Sequence, residues 1–181
     1  METTKYTRPE LLTTPDELNK KLTSPKLRVI DTRQAELFAQ GHIPGAVHFD
    51  LFGISLIDTS PAPLRAFLSM ISHLFEMRGV NLDTEVVFYE ENSGMRAARG
   101  LWFLEYFGHQ HVSVLDGGIQ AWKKAGHPVT NEAAPPKATE FKTTDRRELL
   151  ATAEDVLRSL GERKISIVDT QIGRASCRER V

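Results

Sequence analysis

Cysteine is almost missing from this 181-residue chain; the single one is Cys177. One thiol excludes an internal disulfide and a metal site built from several cysteines. Neither sign of charge dominates. Lys and Arg number 23 against 24 Asp and Glu, for a net charge of −1, so nothing favours nucleic acid or an anionic membrane as partner. No apolar run approaches the ~20 residues of a membrane span. The polar opening METTKYTRPE resembles neither a signal peptide nor a transit peptide, so a cytoplasmic location is the default expectation. What is present, 40% apolar and 26% charged residues, is the composition of a soluble globular protein. The length suits one ordinary domain plus a remainder.

The informative stretch runs from Glu85 to Trp122. Val86-Val87-Phe88-Tyr89 is a β-branched and aromatic run that predicts a buried strand. A polar loop follows: Glu90, Glu91, Asn92, Ser93, Gly94 and Met95. Ala97, Leu101, Leu104 and Phe107 then recur at helical spacing, and Gly108 stops the helix. Val112 to Leu115 predicts another strand, which Asp116-Gly117-Gly118 turns into a helix toward Trp122. Strand-loop-helix-strand-helix units build parallel sheets with helical crossovers. Ligands of such sheets sit beyond the carboxyl ends of the strands. The loop at 90–95 lies at such an end, and the N–H groups of the helix it opens can cradle an anion.

Upstream, residues 1–9 read as a loose arm. Thr14-Pro15-Asp16-Glu17 is a helix start with a capping box and proline at the first helical position; its helix turns Leu18 and Leu22 inward. Leu27 to Ile30 predicts the first buried strand, with Asp31-Thr32-Arg33 at its carboxyl end as site residues or, the reading we favour, a structural ion pair or cap. Gln34 to Gln40 predicts a short helix. His42-Ile43-Pro44-Gly45 is a turn before a strand at Val47 to Phe49. Phe52 to Pro63 reads as irregular. Leu64, Phe67, Leu68, Ile71, Leu74 and Phe75 mark a core-facing helix over Leu64 to Met77. Trp102, Phe103, Tyr106 and Trp122 fit ordinary packing better than a stacking platform. From Thr130 to about residue 147 the composition is that of an exposed linker, with Phe141 as an anchor.

Residues 148–171 repeat residues 10–33 without a gap at an offset of 138. Leu11, Leu12, Leu22, Asp31 and Thr32 recur as Leu149, Leu150, Leu160, Asp169 and Thr170. The helix cap recurs at Thr152 with Asp155 three residues on. A second copy of the fold therefore begins at residue 148, with one helix and one strand, too little to bury a core alone. Residues 172–181, IGRASCRERV, read as a translated sequencing-library adapter, ATC GGA AGA GCG TCG TGT AGG GAA AGA GTG. On that expectation Gln171 stands for a native Arg, Cys177 is not native, and the segment is excluded from fold reasoning.

GHIPGAVHFD (41–50), VVFYEENSGMRAAR (86–99), GHQHVSVLDGGIQAW (108–122) and the VIDTR of 29–33 together resemble the rhodanese-like sulfurtransferase family over one whole domain, residues 10–129. The resemblance implies an α/β fold with a central parallel sheet of about five strands and helices on both faces. It implies a persulfide mechanism in which a loop Cys takes a sulfur atom from thiosulfate or 3-mercaptopyruvate and passes it to cyanide or a thiol, without metal or cofactor. Glu90 stands where that Cys is expected. A carboxylate cannot carry sulfane sulfur, and Glu90 and Glu91 together repel an anionic donor by roughly a kcal/mol or more per pair. By resemblance, tandem members of the family carry an acidic residue here in a non-catalytic first domain and the Cys in the second. The expected role is thus the silent first half of a two-domain sulfurtransferase. Its partners are the second domain of the same chain and a small sulfur donor, with no nucleic acid and no membrane. His42 remains a weak cleft candidate beside a turn role. Arg96 or Arg99 either pairs with Glu90 or is solvated. A catalytically silent binding or scaffold module is the runner-up. A phosphatase-like relative comes last, because the Glu90-to-Arg96 spacing lacks the thiol.

Overall fold

The computed structural model describes residues 6–168. The adapter-like segment, Gln171, Cys177, Asp169 and Thr170 lie outside the described residues, as do residues 1–5 of the arm. Two compact units divide the chain, one reaching to Leu150 and one starting at Ala151.

In the first unit five parallel strands form one sheet in the order β1 (Leu12–Thr13), β5 (Val112–Leu115), β4 (Glu85–Tyr89), β2 (Leu27–Asp31), β3 (Val47–His48). The sheet is covered on both faces. Alternate side chains of a strand face opposite ways, and β4 shows it: Val86 and Phe88 join one core cluster, Val87 and Tyr89 the other. The first cluster packs against α3 (Pro61–Glu76) and α4 (Met95–Tyr106) through Leu64, Leu68, Ile71, Phe75, Phe103 and Leu104. The second packs against α1 (Pro15–Lys21) and α5 (Gly118–Lys124) through Leu18, Ile119 and Trp122. A strand buried on both faces must be apolar throughout, which is why 86–89 carries no polar side chain until the Tyr89 hydroxyl. Gly100 lets α4 lie flush on β4, since a Cβ there would stand 2.4 Å from the Phe88 ring.

Several boundaries differ from the sequence reading. α3 starts at Pro61, three residues early, because Pro61 takes the first helical position after Ser60. The short helix is α2, Ala35–Gln40. β1 went unread because a two-residue edge strand has no periodicity to detect. The stretch after Thr130 is less a free tether than a strap. The Thr139 N–H donates to Glu76 O (3.1 Å), Thr144 to Phe107 O (3.0 Å) and Arg146 to Tyr106 O (2.7 Å). These donors serve carbonyls at the C-terminal ends of α3 and α4, which lack helical partners. Phe141 is buried with Phe107 and His109 around it, so the anchoring residue is the one expected.

The second unit contains α6 (Ala153–Ser159). Thr152 caps it as Thr14 caps α1: each side-chain oxygen accepts the N–H three residues on, and the Asp155 or Glu17 carboxylate returns to the cap N–H. A one-turn 3₁₀ segment precedes each, Pro9–Leu11 and Arg147–Leu149. The strand expected near Ile165–Val168 does not form: these residues are irregular and exposed, Ile165 by 51% and Val168 by 74%. A strand is made by its neighbours, and none pairs here.

Candidate functional site

β2 and β4 are adjacent and in register, with Asp31 opposite Tyr89, so their carboxyl ends finish level. At that edge lies a buried ion pair. Arg33 Nε donates to both Asp31 oxygens (3.0 and 3.1 Å) and Nη2 donates to Oδ2 (2.7 Å). Asp31 is wholly buried and Arg33 is 4% exposed. The Tyr89 hydroxyl donates to Asp31 Oδ2 (2.6 Å) and accepts the Ile43 N–H. Burial, then the Asp31 charge, pushes the Tyr89 phenol far above its ordinary range. Burial pulls the Arg33 guanidinium down, and its bonds to Asp31 more than offset this, leaving it above its usual value. Both groups keep their protons, and the charge balances within the site.

Arg33 also reaches outward. Nη2 donates to Gly41 O (2.7 Å), and Nη1 lies 3.4 Å from Glu91 Oε2. The other Glu91 oxygen accepts from Gln120 Nε2. The loop is thus tied at Glu91 to β2 on one side and α5 on the other. Its backbone is held by the start of α5: Ile119 N–H donates to Glu90 O (2.9 Å) and Gln120 N–H to Glu91 O (3.2 Å). Ser93 Oγ accepts from Gly117 N–H (2.7 Å) and faces Asp116. Gly118 has φ +57°, and a Cβ there would stand 2.4 Å from Glu90 O and 2.5 Å from Asn92 O, so only glycine lets the helix start approach the loop.

Glu90 sits in the crook between the end of β4 and the start of α4. Its carboxylate lies over Gly94, where a Cβ would meet Oε1 at 2.5 Å. Oε1 is buried and makes no hydrogen bond. The helix start therefore does not cradle it with N–H groups, although the side chain fills the space. Neither expected arginine partner is there. Arg96 pairs with Asp50 (2.7 Å) and stacks on Phe52, 4.4 Å from its ring centre. Arg99 donates to Ile54 O. Each is drawn to the 50–54 segment packed beside α4. His42 does not join the loop through its ring, which is 1% exposed and lies parallel to Phe38 at 3.8 Å, with Nδ1 2.8 Å from Phe38 O and Nε2 3.2 Å from Glu132 O. A cleft of about 690 Å³ opens elsewhere, among Lys21, Lys26, Asp83 and Glu85.

Met95 is 70% exposed at the mouth of the loop. Sequence reasoning found the loop and the Asp31–Arg33 pair. It missed Tyr89 as their third member and Ser93–Asp116 as the latch on α5. A tyrosine closing an otherwise apolar strand was the available signal for the first. Among the described residues there is no thiol, and no group of three His, Cys, Asp or Glu side chains is placed to hold a metal ion. The loop as it stands is an acidic turn that carries no thiol.

Residues 14–125 match the rhodanese-like domain model. Thiosulfate sulfurtransferase of Rattus norvegicus is 37% identical over 160 residues, covering 81% of this chain and 53% of that protein. The 3-mercaptopyruvate sulfurtransferase of Escherichia coli is 29% identical, covering 86% and 59%. The crystal structure of SseA from Escherichia coli, described as a 3-mercaptopyruvate sulfotransferase with the rhodanese fold, superposes with a TM-score of 0.72 at 28% identity, covering 82% of this chain and 62% of that one. The chain spans about half the length of the curated relatives it matches. The fold, the strand-loop-helix edge and the family model agree, and the chain belongs to the rhodanese-like domain family.

Proposed function

We propose that residues 10–129 are the non-catalytic first domain of a two-domain sulfurtransferase. The intact protein moves a sulfur atom from thiosulfate or 3-mercaptopyruvate to a thiol or cyanide through a cysteine persulfide in its second domain. The observation that carries the reading is Glu90. It occupies the crook between strand end and helix start where a sulfur-accepting thiolate belongs, and a carboxylate forms no persulfide. The persulfide step moves one sulfur atom: a thiolate attacks the outer sulfur of thiosulfate, the S–S bond breaks, and sulfite leaves with the electron pair; with 3-mercaptopyruvate the thiolate attacks the thiol sulfur, the C–S bond breaks, and pyruvate leaves as its enolate with the electron pair. Cyanide or a thiol then takes the outer sulfur and restores the thiolate.

The second domain is supported by the offset of 138 between residues 10–33 and 148–171 and by the matching capping boxes at Thr14 and Thr152. The length of the relatives supports it as well. Apolar positions buried in the first copy recur exposed in the second: Leu18, 0% exposed, as Val156, 39%; Val29, 3%, as Ile167, 52%. Such a face needs the rest of a domain to cover it.

Thiosulfate–cyanide and 3-mercaptopyruvate assays test the proposal. The 181-residue chain is expected to be inactive in both, and the product of the full gene active through a Cys roughly 140 residues beyond Glu90, following the repeat. Activity of the 181-residue chain that survives Cys177→Ser refutes this placement of the nucleophile. So does a full reading frame without a Cys in that loop.

A further inference from the structure

We infer that the cavity between the β3 edge and the strap binds a small monocarboxylate with an apolar chain, held through Arg78. The cavity has a volume of about 320 Å³ and is lined by Phe38, Val47, His48, Met77, Arg78 and residues 133–136, a size that suits a small ligand. Its walls are apolar except at His48 and Arg78. The strap side, Ala133-Ala134-Pro135-Pro136, offers no polar side chain. The fold holds the strap on both sides of that wall. His42 N–H donates to Thr130 O (2.8 Å) and Thr130 N–H to His42 O (2.9 Å). Beyond the wall, Thr139 N–H donates to Glu76 O (3.1 Å) and its hydroxyl to Val80 O (2.6 Å). The walls are therefore set by the fold, and binding does not have to order them.

The ligand class follows from Arg78. Its guanidinium lies over the Phe49 ring, 3.8 Å from the ring centre. Nε donates to His48 O (2.9 Å) and Nη1 to Leu74 O (2.8 Å). These bonds tie β3 to the end of α3 and use two of the five N–H groups of the fork. Among the described residues no carboxylate pairs with Arg78, and the other three N–H groups meet no acceptor. Glu76, the acid at the end of α3, is taken by His73 and by the Phe141 N–H. Arg33 shows the contrast, since Asp31 neutralises it in place. A half-buried cation without a counter-ion is costly, and an anion from solution relieves the cost. A guanidinium fork matches a planar carboxylate. One cation balances one negative charge, so a dianion would leave a charge against apolar walls. Those walls call for an apolar chain on the acid. The His48 ring is fixed by Nε2 on Arg33 O (2.8 Å) and tilts on Phe38 at 5.4 Å, so the two rings form one aromatic wall. The site does not rest on the two-domain reading.

The test titrates the 181-residue chain with hexanoate at constant ionic strength and follows amide shifts by NMR. Saturable shifts are expected at Phe38, Val47, His48, Ala133 and Ala134, with a millimolar Kd. Hexan-1-ol keeps the chain without the charge and is expected to bind at least about tenfold more weakly. Acetate keeps the charge without the chain and is expected to be weaker by at least about tenfold as well. Hexylammonium should leave these amides unmoved, and equimolar sulfate should not displace hexanoate. Arg78→Gln is expected to bring hexanoate to the level of hexan-1-ol. Because Arg78 also ties β3 to α3, Ala134→Trp serves as a second variant: it fills the cavity from the exposed strap, and it should abolish the hexanoate shifts with an unchanged amide spectrum for β4 and β5. Absence of saturable shifts at these amides up to about ten times a millimolar Kd overturns the inference. So does hexan-1-ol, acetate or hexylammonium binding as tightly as hexanoate, displacement by equimolar sulfate, or hexanoate binding that survives Ala134→Trp.

Discussion

Replacing Arg33 with methionine would strip Asp31 of its counter-ion inside the protein. The carboxylate is fully buried and takes three contacts from the guanidinium, keeping only the Tyr89 hydroxyl and the Arg33 backbone N–H. Breaking a buried pair by removing one partner costs about 3–5 kcal/mol. For a chain of this size that lowers the melting temperature by about 6–20 °C. Urea unfolding reports it through Trp122, which is buried with its indole N–H on Pro128 O. The Asp31→Leu/Arg33→Met pair removes the orphaned charge and should recover a large part of the loss, since apolar replacement of a whole buried pair is often near neutral. Lys142→Gln, which breaks the exposed Lys142–Glu140 contact, should leave the midpoint unchanged. An Arg33→Met loss below ~1 kcal/mol, or a double variant no more stable than the single one, would refute the claim that this pair anchors the site.

Two further outcomes follow from the same geometry. Gly118→Ala forces a Cβ toward Glu90 O and Asn92 O at positive φ, so we expect a loss of at least ~1–3 kcal/mol. Amide shifts should centre on 90–94 and 117–120; a silent spectrum would contradict the described approach. Acid should loosen the Phe141 anchor. Burial lowers the His109 pKa below its ordinary 6.5, so the folded state binds fewer protons than the unfolded one. That stability is present above pH ~6.5 and is lost as pH falls toward the folded value. The Glu76 carboxyl is held below its ordinary 4.5 by the Phe141 N–H and then by His73, and its share disappears at lower pH still. The urea midpoint should therefore fall from about pH 7.5 to 5.5, less steeply in His109→Asn; a midpoint that rises on acidification would reverse the sign worked out here.

The strands and helices around the candidate loop were legible because their signals are local. Val86 to Tyr89 is apolar on both faces because β4 lies mid-sheet, and the Thr14 capping box is written in four consecutive residues. The identity of Glu90 at the strand end, and with it the absence of a local thiol, needed no coordinates. Strand order, by contrast, depends on which sheet edge each crossover reaches, so β1 beside β5 was invisible. Partner choice was invisible for the same reason. Arg96 and Arg99 stand in the first two turns of the helix that follows Glu90, yet the fold brings Asp50 and the Ile54 carbonyl nearer to them. The composition of 130–147 is that of a tether, and the carbonyls at the ends of α3 and α4, the buried Phe141 and the His42–Thr130 backbone bonds make it a strap. The sequence by itself determined which residues enter the core and which chemistry the loop lacks, because burial pattern and functional groups are properties of the residues. Tertiary structure alone decided what each polar group bonds to, because a hydrogen bond needs a partner that the chain brings near only by folding.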